Sequence, residues 1–146
     1  MMFEAQTEWI APENFPDLSG YKTIAIDLET RDPDLKSKGS GAVIGNGEII
    51  GVAVAVDGWC KYYPFGHEGG GNLDKKKVLD WTKTICESDS TKVFHNAMYD
   101  VCWLRYYGIK INGHIMDTMV MASIVNENRL RYTLNALSWE YLGERK

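Results

Sequence analysis

Residues 48–58 constrain the fold more than any other segment. Glu48–Val56 (E-I-I-G-V-A-V-A-V) is apolar and β-branched almost throughout, and it runs straight into Asp57-Gly58. Such a run suits a pleated, largely buried strand, and an Asp-Gly pair behind it signals a tight hairpin. Residues 59–65 are therefore expected as the antiparallel partner. Residues 22–28 (K-T-I-A-I-D-L) alternate with period two and predict a further strand. The second half of the chain changes period. Residues 74–86 have helical spacing through Val78, Leu79, Trp81, Thr82 and Ile85, with Asp74 placed to cap them. Residues 92–95 read as a short strand, and Asn96 as the cap of a helix that runs to about Tyr107 and closes at Gly108. Asp117 caps a helix through about Val125, and Thr133 caps a last one ending at Gly143. The order β-β-β-α-β-α-α-α predicts an α/β layered domain. Residues 1–20 read as a lead-in arm, and 31–47 and 66–72 as glycine-rich loops.

The 146 residues suit one domain with a single core. No apolar run is long enough for a membrane helix, and residues 1–16 lack the basic start of a signal peptide, so no membrane partner and a cytoplasmic address are expected. Cys60, Cys86 and Cys102 are an odd set with no C-x-x-C pair. They read as packing residues in a reducing compartment, not as a zinc site or a disulfide framework. The net charge of −4 argues against a protein that coats nucleic acid through a basic surface. It leaves room for a metal-dependent nuclease, in which bound cations supply the local positive charge.

Period two puts Ile24, Ile26 and Leu28 on one face of the first strand, and Thr23, Ala25, Asp27 and Glu29 on the other. Carboxylates at i and i+2 on a central strand repel each other and resist desolvation. A hard divalent cation resolves that conflict. Alternatively, Glu29 lies exposed just past the strand end and Asp27 opens a turn. A third carboxylate lies in F-H-N-A-M-Y-D, residues 94–100. With Asn96 as cap, Asp100 falls one turn on, sharing a face with Trp103 and Tyr107 and beside the sheet, while Ala97, Val101 and Leu104 face the core. Asn96 and Tyr99 stand nearby as groups able to contact a phosphate or sugar. Helix capping alone also accounts for an Asn and an Asp in these places.

I-D-L-E-T (residues 26–30) resembles the first motif of the DnaQ-like, or DEDD, 3′–5′ exonucleases, and H-N-A-M-Y-D (residues 95–100) resembles the second. The likeness is to proofreading domains of phage-type family A DNA polymerases. It extends through T-R-D-P-D-L-K-S-K-G (30–39), Y-Y-P-F-G-H-E (62–68), D-T-M-V-M-A (117–122) and Y-T-L-N-A-L-S-W-E-Y-L-G (132–143), from about residue 21 to the end. The resemblance implies a ribonuclease H-like mixed sheet, antiparallel over its first three strands with a parallel strand added, flanked by helices. It implies two divalent ions, Mg²⁺ or Mn²⁺, and hydrolysis at single-stranded DNA 3′ ends. By carry-over, Asp27 bridges both ions, Glu29 binds the first and orients the attacking water, and Asp100 holds the second. Thr30, Asn96 and Tyr99 are candidate substrate contacts. The resemblance also implies an address in a bacterial or phage-infected host cell.

One element of that pattern is missing. The family's third motif, Tyr-x-x-x-Asp or His-x-x-x-x-Asp, would supply a fourth carboxylate, yet no aspartate follows Asp117 in this sequence. Asp117 itself lies outside the family's metal set and is read as a cap. The exonuclease domain over residues 21–146 is therefore expected to be C-terminally incomplete, lacking its last helix. A polymerase domain or a complementing C-terminal polypeptide is the expected partner, with apolar surface left where that helix would pack. Two other readings are a catalytically inactive remnant that binds nucleic acid or a polymerase, and an RNA-directed exonuclease of the same fold.

Gly39, Gly41 and Gly45 approach a dinucleotide fingerprint but are mis-spaced and precede a strand, so a mobile loop offering Lys36 and Lys38 to a strand backbone is expected instead. His67 reads as a hydrogen-bonding loop residue, and His95 as a strand end. Arg129 and Arg131 are either phosphate contacts or solubilising charges, and Met116, Met119 and Met121 read as core.

Overall fold

The computed structural model describes residues 9–144. The apolar runs assemble into one five-stranded mixed sheet. β1 (Thr23–Arg31), β2 (Glu48–Val56), β3 (Trp59–Pro64), β4 (Thr91–Phe94) and β5 (Ile115–Asp117) stand in the order β3-β2-β1-β4-β5. β1, β2 and β3 pair antiparallel, while β4 joins β1, and β5 joins β4, in parallel. β1 is thus the central strand, as the buried alternation of its sequence requires. Asp57-Gly58 makes the hairpin turn, with Gly58 at φ 73.

The helices are α1 (Leu35–Lys38), α2 (Gly41–Ile44), α3 (Lys75–Cys86), α4 (Ala97–Tyr106), α5 (Thr118–Val125) and α6 (Leu134–Leu142). Ile24, Ile26 and Leu28 join Val52, Val54, Tyr63 and Phe94 in one core with Val78, Trp81 and Ile85 of α3 and Trp103 and Leu104 of α4. Full burial of such side chains contributes roughly 1.5–3 kcal/mol each before entropy is subtracted. The part of the lead-in arm described here is stitched to this core. Trp81 donates to the Pro16 carbonyl (2.8 Å), Tyr63 donates to Asn14 (2.9 Å), and Phe15 packs on both rings. Residues 1–8 lie outside the described residues. So do residues 145 and 146.

Several expectations need correction. The segment 31–47 is not one open loop. β1 continues to Arg31, and α1 and α2 follow, tied by the Asp32 carboxylate to Gly41 N (3.0 Å) and by Asp34 to Asn46 (2.8 Å) and Lys38 (3.2 Å). Asn96 does not cap α4 with its side chain. It is left-handed (φ 68), and the Asp117 carboxylate takes its place, accepting from Asn96 N (3.0 Å) and Ala97 N (2.8 Å). The same carboxylate caps α5 through Met119 N (2.9 Å), so one side chain closes two helix starts. The methionine run is not core: Met116 on β5 and Met121 on α5 are exposed, and Met119 is half-buried. Cys86 is buried and Cys102 half-buried, but Cys60 is exposed and packs nothing away. Ile124, Val125, Leu130 and Leu142 are exposed apolar side chains. Among the described residues, no helix is long and apolar enough to cross a membrane.

Candidate active site

β1 leaves β4 after Ala25 pairs with Val93, and Leu28 N, further along β1, takes a partner from outside the sheet. Such a split at the carboxyl ends of strands, where the neighbours on the two sides differ in connection, is the usual ligand crevice of an open α/β sheet. Here α4 fills the gap. Asp100 accepts a hydrogen bond from Leu28 N at 3.1 Å, and the residue is only 4% exposed. This corrects the helical face expected from the sequence: Asp100 and Trp103 lie on the buried side of α4, and Val101 is only half-buried.

Asp27 and Glu29 flank that same Leu28 and share the other face of the sheet, both half-buried. Asp27 pairs with Ala53, and Glu29 with Gly51. A bulge between Glu29 and Thr30 then bends the strand's exit. The three carboxylates thus lie around one strand end, on two sides of its backbone. Thr30 and Tyr99 also meet. Their hydroxyls are 2.7 Å apart, and Tyr99 donates on to Asp32 at 3.0 Å. Asn96 stands apart from this pair, exposed at the start of α4. Asp32 was missed, and its only trace in the sequence was its place in T-R-D-P-D.

Among the described residues, no group of three or more His, Cys, Asp or Glu side chains is gathered closely enough to hold a metal ion by itself. The donors at the crevice are all carboxylate oxygens, which suits Mg²⁺. That ion commonly binds through one or two carboxylates and completes its shell with water and substrate phosphate, without an all-protein cage. The residues present fit such an ion at an open site.

The opposite wall is aromatic. Tyr62 stands across from Ala53 on β3, and a side chain on Gly51 would lie 2.0 Å from its phenol oxygen. Tyr62 therefore leans over Gly51 toward the acidic pair, and its oxygen lies 2.5 Å from His67 Nε2. Burial first, then the charges of Glu29 and Asp27, push the phenol up to about 12, so it stays protonated at working pH. Asp27 and Tyr62 also line a groove of ≈ 550 Å³ with Ala25, Ala53, Val93 and His95. His95, just past the end of β4, bonds to Thr118 Oγ1 and to the Tyr132 carbonyl (2.8 Å each) and so ties β4 to α5 and the loop before α6. Arg129 is engaged by Glu140 and Tyr141.

The mixed five-stranded sheet with flanking helices has the ribonuclease H-like fold. Two solved structures share the fold at 17% identity: Brucella melitensis NrnC (TM-score 0.64, covering 89% of this chain and 57% of that one) and the same protein with bound Mg²⁺ (0.62, covering 94% and 61%). A family model described as 3′–5′ exonuclease matches residues 5–146, so the chain belongs to the 3′–5′ exonuclease family. A DNA-directed DNA polymerase of Pseudomonas phage M6 is 34% identical over 94% of this chain. The chain spans 22% of that polymerase's length.

Proposed function

We propose that this chain belongs to a proofreading 3′–5′ exonuclease domain of a phage-type family A DNA polymerase, and that it acts on single-stranded DNA 3′ ends. One observation carries the reading: Asp100 is bonded to Leu28 N, and Asp27 and Glu29 flank that same residue where β1 parts from β4. Family membership, a phage polymerase relative and a neighbour of the same fold with bound Mg²⁺ support it.

Asp27 and Glu29 would hold the first of two Mg²⁺ or Mn²⁺ ions, and Asp27 with Asp100 the second. When bound, the ions supply charge to the attacking and leaving oxygens and make water a better nucleophile. The chain's own residues orient the reactants. Glu29 directs a water toward the scissile phosphorus, and the Thr30 and Tyr99 hydroxyls bind the terminal sugar or its phosphate. Asn96 offers a further amide contact at the start of α4. A complementing polypeptide would supply the fourth carboxylate, because Asp117 is committed to four backbone N–H groups.

The test is a 5′-labelled single-stranded oligonucleotide incubated with Mg²⁺ or Mn²⁺. The chain alone should shorten it weakly or not at all. Adding a C-terminal polypeptide bearing Tyr-x-x-x-Asp should give a ladder of 3′-shortened products that Asp27→Ala abolishes. No shortening with that polypeptide present, or shortening that survives Asp27→Ala, refutes the proposal.

A further inference from the structure

The Y-Y-P-F-G-H-E segment and the loop behind it form a hydrogen-bonded chain that ends beside the acidic pair. It starts at Asn72, whose side chain clamps the His67 backbone from both sides: Oδ1 accepts from His67 N (2.8 Å) and Nδ2 donates to His67 O (2.6 Å). Arg31 fixes the same loop from the end of β1, donating to the Gly66 carbonyl at 3.0 Å. Although His67 is exposed, its backbone is held and its ring delivered to the Tyr62 oxygen.

The position of that oxygen follows from the sheet. Glu29 and Gly51 are cross-strand partners, and partnered residues hold their Cβ positions about 4.5–5.5 Å apart. The Tyr62 oxygen lies 2.0 Å from the Cβ position of Gly51, so it stands level with the root of the Glu29 side chain. Glycine at position 51 is what leaves the phenol that room. Beside two carboxylates, the favourable arrangement has His67 Nε2–H donating to the phenol oxygen, which leaves the phenol hydrogen to face the acidic pair.

We propose that Tyr62, braced by His67 and Asn72 and admitted by Gly51, is a positioning residue that orients the Glu29 carboxylate toward a divalent cation. This rests on the assignment of Asp27 and Glu29 as metal ligands. Groups that hydrogen-bond to a ligating carboxylate fix its direction, and their loss commonly weakens metal affinity about 10–100-fold.

The test measures Mn²⁺ alone, by electron paramagnetic resonance of free and bound ion, on the 146-residue chain. Tyr62→Phe removes only the hydroxyl. Gly51→Ala keeps the hydroxyl but places a methyl where it sits. Each should weaken Mn²⁺ binding about tenfold. The double variant should be little weaker than either single one, because both remove one contact. Thermal melting in EDTA should leave Tyr62→Phe unchanged, which separates positioning from plain stabilisation. If Tyr62→Phe binds Mn²⁺ as tightly as the parent while Glu29→Gln does not bind, the positioning role is wrong and the metal site stands. Weaker binding that appears only with a lowered melting temperature likewise overturns the role. No saturable Mn²⁺ binding by the parent chain overturns both the role and the metal assignment.

Discussion

Replacing Asp100 separates two functions that share one side chain. Its carboxylate accepts from the buried Leu28 N–H at 3.1 Å, and in the proposed function it also holds a cation. Asp100→Ala leaves that N–H unpaired inside the protein, where a lost hydrogen bond to a charged partner costs about 1.5–3 kcal/mol. In a domain of this size, each kcal/mol moves the melting temperature by about 2–4 °C. The alanine variant should therefore melt about 3–12 °C lower. Asp100→Asn keeps an oxygen for Leu28 N and removes the charge, so in EDTA it should melt within about 4 °C of the parent, a change of roughly 1 kcal/mol or less. With Mn²⁺ present, the parent should gain stability by mass action and Asp100→Asn should gain less. Melts followed by circular dichroism at 222 nm, with and without Mn²⁺, read out all of this. An alanine variant that melts like the parent would refute the hydrogen-bond argument. An asparagine variant that falls as far as alanine would mean the charge, not the acceptor, closes the gap between β1 and β4.

Asp117→Ala removes the cap of both α4 and α5 and should destabilise by about 1–4 kcal/mol in urea unfolding, since each cap is worth about 0.5–2 kcal/mol. Burial pushes Asp117 upward, but the N–H groups of Ala97, Asn96, Met119 and Val120 together hold it below the usual carboxylate value. Its stabilisation is therefore fully present above the unfolded pKa of about 3.9 and is lost as pH falls through the lowered folded value, so Asp117→Asn should flatten the acid limb of the stability curve below about pH 4. Phe15→Ala should cost about 2 kcal/mol, because the ring packs between Tyr63 and Trp81 and is only half-buried. An unchanged urea midpoint would show that the arm contributes nothing to the core. Tyr99→Phe breaks the link between Thr30 and Asp32 and should weaken binding of a single-stranded oligonucleotide in an anisotropy titration severalfold, with a melting temperature within about 4 °C of the parent.

The elements that were legible in the sequence are those whose signal is local. Period two assigned Ile24, Ile26 and Leu28 to the core and Asp27 and Glu29 to the opposite face, because alternation is a property of the strand itself. Asp74 and Thr133 cap their helices as expected, through Lys77 N and Ala136 N. What was not legible depends on contacts distant in sequence. Asp100 turns inward to accept from Leu28 N, 72 residues earlier. Asn96 yields its capping role to Asp117, 21 residues later, which no local pattern reports. β5 has only three residues and follows a bend, too short to show any period. The Tyr62–His67 pair carried no chemical signature of its own until Gly51 and Glu29 were known to be neighbours.

Anomalous diffraction from crystals soaked in Mn²⁺ tests the acidic site most directly. We expect a manganese peak bound by the Asp27 and Glu29 carboxylates at the end of β1, absent from crystals of the Asp27→Asn variant. A peak elsewhere, or none beside these two residues at saturating Mn²⁺, contradicts the assignment of this crevice as the site of phosphodiester hydrolysis.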